Sequence, residues 1–376
     1  MGEILRVLHV YAGNLYGGVE RMLAQFAFMR THAGMDASFA LCFEGRLADE
    51  VRMAGVSLDV LGPVRMSRPW TVWRARRRLE EALRTGRPHV VICHSTWTHA
   101  AFAPVVRDAG IPLVFWLHDS VTGATWADRR ASRTRPDLAI CTSRFAAESL
   151  GRLWRGVPAE VVYPPVPPID ARSLDRDAFR ASLDTAAGDV VILQASRMEP
   201  WKGHRVLIQA LETLHQVGGW TCWIAGGAQR PHEEAHLAEM YALARQLGIA
   251  HRIRFLGQRD DVSALMAAAD VLAQPNLGPE PFGIALAEGM NAGLPIVSVA
   301  IGAAPEIVDP GCGILVPPND PAAFGEALRE LVLDPGLRER MGAAGPPHAR
   351  ALCGHLQQVE RLGRVLEGLV GSRPGG

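Results

Sequence analysis

Short apolar runs recur along this chain, separated by longer stretches in which apolar residues return every third or fourth position. The runs Leu5–Tyr11, Ala37–Phe43, Leu58–Leu61, Val90–His94, Leu113–His118 and Leu138–Thr142 predict buried strands, each followed by a helical stretch, the first over Val19–Ala33. Strands alternating with helices over such a length predict a doubly wound parallel sheet. Gly13-Asn14-Leu15-Tyr16-Gly17-Gly18 forms the glycine turn into the first helix. The strand ends carry Gly17, His94, His118 and Asp119, the edge where such sheets place ligands. No G-x-G-x-x-G follows the first strand, so a dinucleotide site is not supported.

Tyr163-Pro164-Pro165-Val166-Pro167-Pro168-Ile169-Asp170 then interrupts the alternation. Prolines at this density suit neither a helix nor a central strand, and the stretch predicts a semi-rigid linker. A second series follows it. The predicted strands are Val190–Ala195, Thr221–Ala225, Ile253–Leu256, Val271–Gln274, Ile296–Val299 and Ile314–Val316. The predicted helices are Arg205–Gln216, Glu233–Leu247, Val262–Ala269, Phe282–Asn291, Pro321–Leu333, Gly336–Ala343 and Leu356–Leu369, before a polar, Gly-rich tail. The expected class is α/β, with two Rossmann-like doubly wound domains facing across a cleft. Expected boundaries are 1–169, 170–355 and a C-terminal segment 356–376, whose apolar stripe Leu356, Val359, Leu362, Val365, Leu366 and Leu369 would pack back on the first domain.

Composition narrows the class. With 376 residues, 48% apolar and 21% charged, the chain is globular and too long for one ordinary core. The six cysteines lie singly in or beside apolar runs, as buried core residues do in a reducing compartment. No run is long enough to span a membrane, and MGEILRVLHVYAG has a strand pattern rather than that of a signal peptide; a cytoplasmic location is expected. The net charge of zero conceals a division: residues 1–169 hold 21 basic and 15 acidic residues, leaving 39−21 = 18 and 39−15 = 24 for the rest. Of 39 basic residues 38 are Arg, and the single lysine is Lys202. A compact ammonium and a planar guanidinium are not interchangeable at a phosphate.

The stretch from Pro279 to Gly293 carries the sharpest chemistry. Glu280 sits in a Pro-rich lead-in, Glu288 falls along the following helix, and Gly283 leaves first-turn amides uncovered for an anion. Carboxylates for hydroxyls and amides for phosphate suit a sugar nucleotide. Earlier, Ser196-Arg197-Met198-Glu199-Pro200-Trp201-Lys202-Gly203 places two cations around a short loop entering a helix, a grip for pyrophosphate. Gly302-Ala303-Ala304-Pro305-Glu306 and the run from Gly311 to Asp320 follow in the order such a site needs.

Three of these motifs, Ser196-Arg197…Lys202-Gly203, Glu280-Pro281-Phe282-Gly283-Ile284…Glu288 and Gly313…Asp320, resemble those of the retaining GT-B glycosyltransferases of family 4. In the first half, Gly17-Gly18-Val19-Glu20 and His118-Asp119 match. The resemblance implies that Arg197 and Lys202 hold the donor diphosphate and that Glu280 binds hydroxyls of the transferred sugar. It implies amides of Phe282, Gly283 and Ile284 at sugar or phosphate, and Glu288 at the ribose. Gly17 and Gly18 would admit the diphosphate, and His118 would lie beside the sugar. Ala303, where many relatives have a second glycine, would narrow the sugar end. The implied reaction transfers a sugar from a nucleotide-sugar co-substrate to a hydroxyl acceptor with retention, without metal or other cofactor, the leaving phosphate taking the acceptor's proton.

Charge arguments agree on the metal. Arg197, Lys202 and helix N-termini can stabilise a leaving diphosphate by themselves. Asp175-Arg176-Asp177 opens a helix, where acidic residues serve as caps, and the spacing of His94 and His99 does not make a zinc pair. The acceptor that the resemblance implies is a glycan, glycolipid or small molecule bearing a hydroxyl. Arg68-Pro69-Trp70-Thr71-Val72-Trp73-Arg74-Ala75-Arg76-Arg77-Arg78, basic and aromatic, suits an anionic membrane face, while nucleic acid fits poorly. Two other function classes share this plan: a sugar-nucleotide epimerase or phosphorylase, and a two-domain protein that binds sugar without turnover.

Overall fold

The computed structural model describes residues 4–13, 16–29, 31–65, 67–169 and 174–372. Asn14 and Leu15 of the glycine turn, Asp170 at the end of the predicted linker, and the tail 373–376 lie outside the described residues. The chain divides into two compact units, one of Met1–Pro165 with His355–Gly376 and one of Val166–Gly354. The division therefore falls inside the proline run, four residues earlier than the expected boundary. There Val166 pairs with Gly354 in an isolated parallel bridge, its N–H donating to the Cys353 carbonyl at 3.0 Å. A residue tied into one unit's backbone cannot serve as free linker.

In the first unit the strands are Leu5–Tyr11 (β1), Met35–Leu41 (β2), Leu58–Val60 (β3), Val90–His94 (β4), Leu113–Leu117 (β5), Leu138–Cys141 (β6) and Ala159–Val161 (β7). They form one parallel sheet in the order β3-β2-β1-β4-β5-β6-β7. The central strands are apolar on both faces, as a sheet covered on two sides requires. One face buries Met22, Leu23 and Phe26 of the helix Gly18–Phe28. Val359, Leu362 and Leu366 of the helix His355–Gly371 join the same core, so residues that follow the whole second unit complete it. Burying three such side chains contributes roughly 1.5–3 kcal/mol each.

The second unit repeats the plan with Val190–Ala195 (β8), Trp220–Ala225 (β9), Ile253–Gly257 (β10), Val271–Gln274 (β11), Ile296–Val299 (β12) and Gly313–Val316 (β13), ordered β10-β9-β8-β11-β12-β13. In both sheets the order reverses beside the first strand, at β1/β4 and at β8/β11. That switch point is where open α/β sheets leave a crevice for ligands.

Several boundaries differ from expectation. The helix expected over Val19–Ala33 runs Gly18–Phe28, and a 3-10 turn follows at His32–Gly34. The helix expected from Phe282 begins at Ile284, because Gly283 takes φ +86°, a left-handed value that ends any helical run there. Glu288 accordingly lies little more than one turn into it. The short helix expected at Gly336–Ala343 extends over Pro335–Cys353 despite Pro346 and Pro347. Gly342 and Gly345 lie so close to Gly293 and Met290 that a Cβ would meet carbonyl oxygens at 2.3 and 2.8 Å, and this packing carries the helix through. All six cysteines are buried and free.

Candidate active site

The loops after β8 and β11 leave the second sheet at its switch point, and they bring together residues far apart in sequence. After β8, Ser196–Glu199 leads through a 3-10 turn, Pro200–Lys202, to Gly203 and the helix His204–Glu212. Gly203 sits at φ +76°, and a Cβ there would come within 1.8 Å of the Pro275 carbonyl oxygen, so only glycine lets the two loops touch. The Leu277 N–H donates to the Trp201 carbonyl at 2.7 Å, stitching them together. Fully buried Gln194 donates to the Lys202 carbonyl at 2.8 Å and Gln274 to that of Ala195 at 3.0 Å, fixing the loop from below.

Lys202 Nζ donates to both oxygens of Glu280, at 2.9 and 2.8 Å. Asn276 donates to Oε2 of the same carboxylate, and the Ala303 N–H holds the Glu280 carbonyl at 2.9 Å. The ammonium lies 4.0 Å from the centre of the Trp201 ring, whose own N–H donates to Glu199 at 2.7 Å. Glu199 also pairs with Arg197 at 3.0 Å. The two cations expected to face a diphosphate are thus each held by a carboxylate. Arg197, Glu199, Trp201, Lys202, Glu280 and Asn276 form one continuous polar chain, and its charges cancel.

Gly283 caps the helix Ile284–Asn291 beside Glu280, so the first-turn amides, Ile284 among them, start at this cluster. Phe282 and Glu288 are buried, at 4% and 7% exposed. Ala303 is fully buried, which corrects the expectation that its methyl narrows the ligand side. His204, behind the loop, accepts or donates to Ser196 Oγ at 3.2 Å. Burial, then the nearby His236 and Lys202, lower its pKa to about 3. Glu199, Trp201, Asn276 and Gln194 were not singled out from sequence. Glu199 and Trp201 lie inside the quoted loop motif, but only folding shows what they hold.

In the first unit, Gly17 caps the helix Gly18–Phe28. Its N–H donates to Glu20 at 2.9 Å, and Tyr11 donates to the other oxygen of that carboxylate at 2.6 Å. Gly17 is extended at φ −155°, so its backbone is not the reason for glycine, while Gly18 begins the helix proper. His118 follows β5, and its Nε2 lies 2.8 Å from Nδ1 of His94. Burial, then the neighbouring His9, hold His118 well below the ordinary histidine range. His99 is separate, its Nε2 2.8 Å from the Thr134 carbonyl oxygen. Asp175 caps the helix Arg176–Ala181 by accepting from the Ala178 N–H at 3.0 Å. Among the described residues no three His, Cys, Asp or Glu side chains are grouped to hold a metal ion, and no helix is long and apolar enough to cross a membrane.

Two doubly wound sheets with these loops at their switch points define a GT-B fold. The crystal structure of Alr3699/HepE from Anabaena in complex with UDP superposes on 97% of this chain and all of that one, with a TM-score of 0.84 and 23% identity. Residues 16–168 match the family described as Glycosyltransferase Family 4, and residues 175–347 match Glycosyl transferases group 1. The chain belongs to the GT-B glycosyltransferases, in family 4. A D-inositol 3-phosphate glycosyltransferase of Nocardioides sp. is 28% identical over 306 residues, 73% of this chain and 66% of that protein. A phosphatidyl-myo-inositol mannosyltransferase of Mycobacterium leprae is 32% identical over 254 residues, 65% of this chain and 64% of its own. The matched stretch falls just short of two thirds of each relative's length.

Proposed function

We propose that this chain transfers a sugar from a nucleotide-sugar donor to a hydroxyl acceptor, with retention and without a metal. The observation that carries the reading is the Lys202–Glu280 pair, set beside the Gly283-capped helix at the switch point of the second sheet. A solved structure of similar fold is described in complex with UDP-glucose, which supports a nucleotide sugar as donor. Two similar proteins are named for D-inositol 3-phosphate and for phosphatidyl-myo-inositol, both hydroxyl-bearing compounds, which supports a hydroxyl acceptor.

In this reading the diphosphate enters between Arg197 and Lys202. An ammonium has three N–H groups, so Lys202 can keep Glu280 and still donate to phosphate. The third N–H of Lys202 meets the arriving phosphate, and Glu280, still held by the ammonium, turns its remaining lone pairs to sugar hydroxyls. Glu288 holds the ribose. As the glycosyl–phosphate bond breaks, negative charge grows on the leaving diphosphate, where Arg197, Lys202 and the amides at Gly283 and Ile284 stabilise it. The same phosphate, on the face the sugar leaves, accepts the acceptor's proton, and the acceptor oxygen bonds to the anomeric carbon from that face.

A thermal-shift screen over nucleotides and nucleotide sugars, followed by turnover with the stabilising donor, tests this reading, since ligands of the native state raise its apparent stability. Turnover should survive exhaustive EDTA treatment. Activity restored only by magnesium or manganese would refute the metal-free step. Product of the opposite anomeric configuration would refute retention.

A further inference from the structure

Trp201 touches both charge pairs of the second unit's site, and the donor chemistry gives it no task. Its indole Nε1–H donates to Oε2 of Glu199 at 2.7 Å, and its ring centre lies 4.0 Å from Nζ of Lys202. Nη2 of Arg197 meets the same oxygen of Glu199 at 3.0 Å. The Glu199 and Lys202 side chains are shielded, at 13% and 11% exposed, while that of Arg197 is 37% exposed. The indole itself is half-buried, and the Leu277 N–H that stitches the loops bonds to the backbone carbonyl of Trp201, so a different side chain there leaves that bond in place.

A carboxylate free to turn beside a guanidinium closes on it as a fork, since two parallel charge-assisted bonds are stronger than one. Arg259 and Asp261, at the same spacing after β10, do so, Nε and Nη2 donating to the two oxygens at 2.7 and 2.5 Å. Arg197 and Glu199 share no such pair of bonds among the described residues, and the oxygen between them is the one the indole N–H holds. We infer that Trp201 keeps both cations open to the diphosphate: its N–H restrains Glu199 from closing on Arg197, and its ring face holds the Lys202 ammonium. The ring attracts that charge through its quadrupole and takes up no N–H, so the third N–H of Lys202 stays available. Trp201 is thus a positioning residue that acts through Arg197 and Lys202; that these two meet a diphosphate rests on the proposed function.

Lys202 is the single lysine of the chain, so lysine labelled with ¹³C at Cε gives one signal from the ligand-free protein and needs no assignment. The ring should shift its methylene protons upfield in the wild type and in Trp201→Phe, and that shift should vanish in Trp201→Leu. A wild-type signal without the shift, or a shift that survives in Trp201→Leu, overturns the hold on Lys202. Calorimetry with UDP, GDP and ADP reads the other arm. Trp201→Phe keeps a ring face and loses the N–H, and its Kd for the nucleoside diphosphate should rise about three- to tenfold. Adding Glu199→Gln removes the charge that closes on Arg197 and should return the Kd to the wild-type value, a rescue that damage to the fold would not give. Trp201→Leu, which also loses the ring face, should weaken binding by about a further three- to tenfold. An unchanged Kd in Trp201→Phe, or no recovery in the double variant, contradicts the restraint on Glu199. A wild type that binds no nucleoside diphosphate would count against the proposed function, while the lysine signal still decides whether Trp201 holds Lys202.

Discussion

Lys202 and Glu280, 78 residues apart, meet through both carboxylate oxygens at 2.9 and 2.8 Å. The pair is mostly shielded, with side chains 11% and 26% exposed. Substituting Lys202→Ala removes a charge-assisted contact to the diphosphate and strands a carboxylate in its place. Nucleoside diphosphate affinity should fall about ten- to a hundredfold, as loss of about 1.5–3 kcal/mol implies. Calorimetry with the bare nucleotide measures it, and unchanged affinity would remove Lys202 from the phosphate site. Lys202→Arg should not restore binding, because a planar fork cannot share one point with Glu280 and phosphate.

The two carboxylates should separate kinetically. Glu280→Ala is expected to lower kcat far more than it weakens nucleotide binding. Glu288→Ala is expected to weaken nucleotide and nucleotide sugar alike, since a ribose contact is the same in ground and transition states. Single-turnover rates and titrations on both variants decide. Equal loss of nucleotide binding with intact chemistry would refute the division.

Acid should loosen the first unit. Burial lowers His9 to about 3 from an ordinary 6.5, and His94 and His118 are lowered too, with Tyr11, Glu20 and Asp119 the ionisable side chains nearby. The unfolded chain takes up these protons near pH 6.5 and the folded one does not. Stability from these rings is therefore complete above pH 6.5 and declines as pH falls from there toward 3. Each ring removes up to about 1.4 kcal/mol per pH unit in that window. Urea unfolding at neutral and mildly acid pH should show the decline, with a shallower slope in His9→Phe. A pH-independent midpoint would contradict it.

The basic helix Pro69–Gly86 gives a narrower surface than its sequence suggests. Arg76 donates to the Ala101 carbonyl at 2.6 Å, and Arg78 donates to those of Val60 and Leu61 at 3.2 Å each, so both anchor the helix. Trp70 and Trp73, 60% and 62% exposed, share a stripe with Arg74 and Arg77. Flotation with anionic vesicles at low salt should recover the protein, and Trp70→Ala with Trp73→Ala should abolish this. Binding indifferent to salt and lipid charge, or none, would exclude a membrane role.

Much of the fold was legible because apolar period and strand alternation are local signals. The strands Leu5–Tyr11 and Val90–His94 begin and end where the pattern places them. The helix start at Ile284 was missed because a left-handed Gly283 looks, in sequence, like any permissive glycine. The motif residues Lys202 and Glu280 could be named, but their pairing depends on Gly203 meeting Pro275, a contact between distant loops. His9 read only as part of a buried strand. Its hydrogen bond to His94 follows from strand order β1-β4-β5, which no periodicity reports.

The helix His355–Gly371 supplies Leu362 and Leu366 to the core of the first unit, yet follows all of the second in the chain. During synthesis, therefore, the unit that emerges first cannot be finished first. The part of its apolar face that Val359, Leu362 and Leu366 cover stays bare while residues 166–354 pass out of the ribosome. The order of translation and the order of completion are thus inverted.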